Sequence, residues 1–212
     1  AAEPAPNKAL HALFDREFGG FPKAARPIPQ VITVEPPQEG ERRVVVRRPG
    51  TTGLVELAYL RPGALHPDFF AFEVLTSVLG DGVNARLYQA LVERGLATSV
   101  SAENYPFRDP YPLLVGATCA PGKTHAEVEA AIKAALAEVA DKGITPAELK
   151  RAQQQIEVSV ARLRDGPYQV ASSLGEAVAS ADWKWFLTYV DRIRSIGADD
   201  VRRVHRHHDL PR

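Results

Sequence analysis

Between Leu79 and Ala102 the chain reads LGDGVNARLYQALVERGLATSVSA, and this stretch restricts the fold more than any other. It gives the end of an apolar helix, a glycine turn, a second helix and the first strand of a hairpin. Gly80 and Gly82 allow positive φ in the turn, and Asn84 is placed to cap the helix carrying Leu87, Tyr88 and Leu91. Gly95 stops that helix, after which the small and β-branched residues of ATSVSA suit a sheet.

Strands and helices on either side extend the same pattern. Residues 42–48 (RRVVVRR) and 54–60 (LVELAYL) read as two strands separated by PGTTG. Pro67 suits a first helical position, and the Phe and Leu spacing after it buries one helical face. A hairpin follows, with strands near 97–105 and 112–119. Thr124 with Glu127, and Thr145 with Glu148, form two capping boxes, the second with Pro146 at the first helical position. Gly143 closes the Ala-rich helix between them. Leu149, Ala152, Ile156 and Val160 repeat at helical spacing as far as the break at Asp165, Gly166 and Pro167, and helical segments follow near 168–179, 182–194 and 198–206. These strands and helices make the class α+β.

The N-terminal part is organised differently. Leu10, Leu13, Phe14 and Phe18 lie at helical spacing and Gly19 and Gly20 end the pattern, so 1–20 carries a short amphipathic helix whose apolar face needs a partner. Pro22, Pro27, Pro29, Pro36 and Pro37 make 21–41 an extended linker, with a possible edge strand at 31–34. A domain boundary is expected there, with 42–212 as the main domain.

Charge and composition exclude several functions. Lys plus Arg equals Asp plus Glu at 26 each, which argues against a nucleic-acid grip and gives no steering field. No apolar run reaches the roughly 18 to 20 residues that span a bilayer. The start has no initiator Met and no signal-peptide core, and with no Met anywhere the chain looks like an excised piece or a matured product.

Chemistry-bearing patterns are few. The lone Cys119 falls on an apolar strand and reads as a buried inert thiol; a nucleophilic Cys119 in an unrelated enzyme is the rival reading. Neither HExxH nor HxxEH occurs. His205, His207 and His208 cluster at the end of the chain without an acidic base and read as a basic helix terminus. The glycines at 80–82 follow a helix and lack the Lys of a phosphate loop, so they read as a structural turn. Trp183, Trp185, Phe186 and Tyr189 read as core with at least one Trp partly exposed, or as a docking patch. Arg164 with its neighbours, and Arg192 with Arg194, read as solvated faces.

Taken in order, HPDFFAFEVL, ARLYQALVERGLA, GITPAELKRA and ADDVRRV resemble the zinc metallopeptidases of the insulinase, pitrilysin and mitochondrial processing peptidase group, over nearly the whole chain. The match is to the second domain of a half-molecule, which holds no zinc. The resemblance implies a mostly antiparallel sheet with helices packed on one face, in a two-layer domain; it implies that 1–20 is the last helix of a preceding zinc-bearing domain and that 42–212 is a non-catalytic domain cut off before its last strand. It further implies a chamber of two half-molecules enclosing unfolded peptides, with no catalytic or metal residues in this chain and zinc in the parent protein's other domain. In some members an Arg and a Tyr of this domain in the non-catalytic half help bind substrate; Val92 and Thr98 take those places here, which fits a zinc-bearing half better. Its expected partners are the missing N-terminal domain, a second half-molecule and unfolded peptide, with a homodimer of the fragment as a further option. The alternative function is a domain of a zinc-free pseudo-peptidase subunit that scaffolds an active partner. The compartment is open between cytoplasm and bacterial periplasm or envelope, the bacterial character of the resemblance leaning to the periplasm.

Overall fold

The computed structural model describes residues 8–27, 32–33, 36 and 38–207, with the side chains of 206 and 207 left aside. The chain falls into two compact units, Ala1–Arg48 and Pro49–Arg212. In the first, α1 (Lys8–Phe18) buries none of its residues. Leu10, Leu13, Phe14 and Phe18 are all exposed, and the Phe14 and Phe18 rings lie 5.6 Å apart. The expected edge strand at 31–34 falls partly outside the described residues, and Ile32 and Thr33 are not in a strand. The expected strand at 42–48 does not form. Its Val44, Val45 and Val46 are 84%, 69% and 71% exposed. A run of β-branched residues becomes a strand only when its backbone finds a ladder partner, and propensity alone supplies none.

The second unit is built on a three-stranded antiparallel sheet of order β1-β3-β2, with β1 at Leu54–Arg61, β2 at Ala97–Glu103 and β3 at Tyr111–Cys119. Leu57 faces Val115 and Tyr59 faces Leu113 in the first pair, and Ala102 faces Val115 in the second. Leu113, Val115, Ala117 and Cys119 of the central strand point to one side and are buried there, as strand alternation requires. The helices of this unit lie on that side. Ten of the twelve residues of α2 (Phe69–Gly80) are buried, so it is the hub of the core. It meets β2, α4 (Pro146–Leu163), α6 (Trp183–Ser195) and α7 (Ala198–His207), while α3 (His125–Lys142) lies against β1 and β3. α5 (Pro167–Ser180) pairs with α6 and buries only Ser173 and Ala177.

Both capping boxes are present. Thr124 Oγ1 accepts from the Glu127 N–H at 3.2 Å while the Thr124 N–H donates to Glu127 at 2.8 Å, and Thr145 with Glu148 repeats this at 3.2 and 2.7 Å. Pro67 proves to lie before the cap of α2, which is Asp68. Gly80 is needed for a different reason than expected. Positive φ is found at Gly82 and Gly95, whereas Gly80 stays helical, and a Cβ there would come within 2.8 Å of the Ala102 backbone nitrogen. It is a contact glycine, letting α2 touch β2. The expected α-helix after the turn is wider than an α-helix over Tyr88–Val92, where the Glu93 N–H donates to the Tyr88 carbonyl at 3.1 Å. The Gln89 side chain donates to the Val83 carbonyl at 2.7 Å and ties this π turn back to the glycine loop.

Candidate functional site

Three features of the second unit can do chemistry or hold a ligand. The first is a buried polar knot between α2, α6 and the end of β2. The Glu73 carboxylate accepts from Asn104 Nδ2 at 2.6 Å and from the Tyr189 hydroxyl at 2.6 Å. Burial pushes Glu73 up to about 7 against the pull of those two hydrogen bonds and of the Arg61 charge. Burial and the same carboxylate push the Tyr189 phenol up. Arg61, 1% exposed, ends β1 with its guanidinium 5.3 Å from the centre of the Phe69 ring, donates to the Pro62 carbonyl at 2.7 Å and to the Tyr105 carbonyl, and is pushed down to about 10 by burial. Trp185 closes the knot, with ring centres 5.6 Å from Phe69, 5.9 Å from Phe70 and 4.9 Å from Tyr189. Trp183, by contrast, is 53% exposed, so the tryptophan helix is core on one side and open on the other.

A second feature is a cleft of about 730 Å³ between the π turn, α3 and the start of α4. Arg86 commands it through a bidentate pair with Glu148, Nε to Oε1 at 2.7 Å and Nη2 to Oε2 at 3.0 Å, and also donates to the Gly143 carbonyl at 2.8 Å. Arg86, with the Thr145 cap, holds Glu148 down to about 2. This pair is spent on joining three elements. The rest of its lining includes Ala90, Ala131, Ala134 and Ala135 together with Glu93 and Arg94.

The third feature is the side of the sheet that the described helices of this unit leave uncovered. Along β1 it presents Leu54, Glu56, Ala58 and Leu60, all exposed. Register places Gly116 of β3 opposite both Glu56 and Ser101, and Leu114 opposite both Ala58 and Glu103. At the hairpin end Tyr105, Phe107 and Tyr111 form an aromatic cluster with ring centres 4.6 to 6.0 Å apart, and Tyr105 donates its hydroxyl to Glu103. That hydrogen bond to a carboxylate pushes the Tyr105 phenol up.

The residues singled out from sequence are scattered. Val92 is half-buried at the end of the π turn. Thr98 is exposed and is the extra residue of a bulge in β2, between the Ala97–Cys119 and Ser99–Thr118 pairs. Cys119 is 7% exposed at the end of β3, and burial pushes its thiol up, which keeps it protonated and poorly nucleophilic at neutral pH. A Cβ on Gly53 would stand 3.0 Å from His125 Nε2 and 3.3 Å from Cys119 Sγ, so the fold brings that imidazole toward the thiol. His205 is buried, the side chain of His207 is not described and His208 lies outside the described residues. Arg164 and Arg192 are exposed yet stack on Phe186 and Phe70, at 4.9 and 5.3 Å.

Residues 5–156 match the family model described as the peptidase M16 inactive domain. The chain belongs to that family. This inactive peptidase domain is 30% identical to an uncharacterized zinc protease of Streptomyces coelicolor, over 94% of its own length and 44% of the relative's, and 28% identical to the zinc protease PqqE of Helicobacter pylori, over 84% and 40%. It spans less than half the length of these curated relatives. Among solved structures it is similar to the inactive peptidase domain of a zinc protease candidate from Bordetella parapertussis, at 31% identity and a TM-score of 0.69 over 78% of this chain and 88% of that one. A Helicobacter pylori protease shares the fold at a TM-score of 0.90 and 23% identity, covering 96% of this chain and 50% of that one. Among the described residues of the inactive domain, no group of three or more His, Cys, Asp or Glu could hold a metal ion, and no helix is long and apolar enough to cross a membrane.

Proposed function

We propose that this inactive peptidase domain is the non-catalytic C-terminal part of a zinc metalloendopeptidase and forms one wall of a chamber around unfolded peptides, while zinc and the catalytic residues lie in the preceding domain. The observation that carries the reading is the uncovered sheet face: a domain whose helices all pack on one side leaves a flat, unfilled surface on the other, and such a surface suits an extended chain. In this reading 1–20 is the last helix of the zinc-bearing domain, 21–41 the linker and 42–212 the wall domain. The exposed Leu10, Leu13, Phe14 and Phe18 of α1 support that assignment, because such a face is normally covered. Val92 and Thr98, in place of an Arg and Tyr pair, support membership of the zinc-bearing half. The domain works against a second half-molecule that closes the chamber, and the parent acts in the periplasm.

The test is a peptidase assay on an unfolded peptide pool with zinc quantified beside it. Alone, the chain should hold no stoichiometric zinc and cleave nothing; joined to its zinc-bearing domain and partner half, it should cleave, and a chelator should stop the cleavage. Chelator-sensitive hydrolysis by the chain alone would overturn the proposal. A complete assembly that is folded but inert would make the parent a scaffolding pseudo-peptidase instead.

A further inference from the structure

The uncovered sheet face carries a charge pattern that narrows what it binds. Its outward strand positions hold Glu56 and Glu103 and no Lys or Arg, although the chain as a whole is electrically balanced; the arginine of β1, Arg61, is turned inward and buried. No Lys or Arg among the described residues pairs with either carboxylate. Glu56 and Glu103 stand on opposite edge strands and two residues out of step, about 12 Å apart at Cα by strand spacing and rise. Gly116 between them adds no side chain. Of the hydroxyls nearby, Ser99 donates to Thr118 at 3.0 Å and Tyr105 donates to Glu103. Apolar contact is offered by Leu60 and Leu114, and exposed ring area by Tyr105 and Phe107, 43% and 49% exposed at the hairpin end.

We infer that this face selects extended peptide segments carrying basic side chains among apolar ones. The inference rests on the wall reading and names the substrate class. A Lys or Arg over Gly116 meets a carboxylate on either side, neighbouring aliphatic side chains lie on Leu60 and Leu114, and an Arg reaching the hairpin end stacks on the Tyr105 and Phe107 rings. The occupant is a cationic peptide rather than an acidic one, because an acidic segment would face like charge at both carboxylates with no cation to offset it.

The experiment is fluorescence anisotropy with a short fluorescein-labelled peptide of Ser, Leu and Arg, and with two siblings carrying Gln or Glu in place of Arg. The Arg peptide should bind most tightly and lose its advantage in about 1 M salt. Glu56→Gln with Glu103→Gln should weaken it about five- to tenfold while leaving the circular dichroism unchanged. Glu56→Lys should shift preference toward the Glu peptide. Equal binding of all three peptides would overturn the inference and leave the wall reading intact. Failure of all three to bind would also overturn it, and so would self-association of the chain that the double Gln variant abolishes, since the carboxylates would then serve a second copy. The wall reading itself fails separately, in the cleavage assay.

Discussion

Glu73 shows how much one residue can decide. Its carboxyl titrates near 7 in the folded chain because burial opposes its charge, against an ordinary value of 4.5. A raised folded value means that the carboxyl favours the folded state most when protonated, below about 4.5, and that this contribution is lost as pH rises through about 7. Glu148 has the opposite shift, to about 2, and contributes no slope above its ordinary value. Between pH 5 and 8 the Glu73 contribution to stability should therefore fall by on the order of 2 kcal/mol, and Glu73→Gln should flatten that slope in urea titrations. A slope that survives the substitution would show that Glu73 does not set it. Arg86→Ala should cost about 2 to 3 kcal/mol in the same titrations, because it strands the Glu148 carboxylate in a partly buried site; Arg86→Lys should recover little, since an ammonium cannot reproduce the bidentate fork. Neither role was legible beforehand. A single Glu in FFAFEVL reads as the polar side of a helix, and its partners Asn104 and Tyr189 lie 31 and 116 positions away.

Elements were legible where their ends carry their own chemistry. The Thr124 and Thr145 boxes, Gly95 and Gly143 each specify a boundary through local hydrogen bonds or backbone conformation, and helices and hairpin strands stand close to where the sequence puts them. What sequence could not show is what depends on a neighbour. The 42–48 run has strand propensity without a ladder, and the π turn has ordinary helical spacing while its hydrogen bonds skip a residue. Gly80 belongs to the same class: the sequence suggests a flexible turn, whereas the packing demands that α2 approach β2. Gly80→Ala should accordingly destabilise by about 1 to 3 kcal/mol, despite the better helix propensity of Ala. A stability gain in denaturant titration would show that the strand moves aside freely.

At the scale of the molecule, the core belongs entirely to the second unit. Every buried core residue lies at Ala64 or beyond, and the described residues of 1–48 contribute none. Removing residues 1–48 should leave the unfolding free energy within about 0.5 kcal/mol of the intact chain, and brief protease treatment should yield a resistant fragment beginning near Pro49. A truncated chain that unfolds far more readily than the intact one would contradict this. The sheet also contains its own timekeeper. Cys119 is the chain's one thiol, sits at the last rung of the central strand, and its backbone N–H donates to the Gly53 carbonyl just before β1. A thiol reagent reaches that sulfur when this corner parts, so the rate of modification measures how often the ladder unzips at the corner joining its central strand to the segment that enters the sheet.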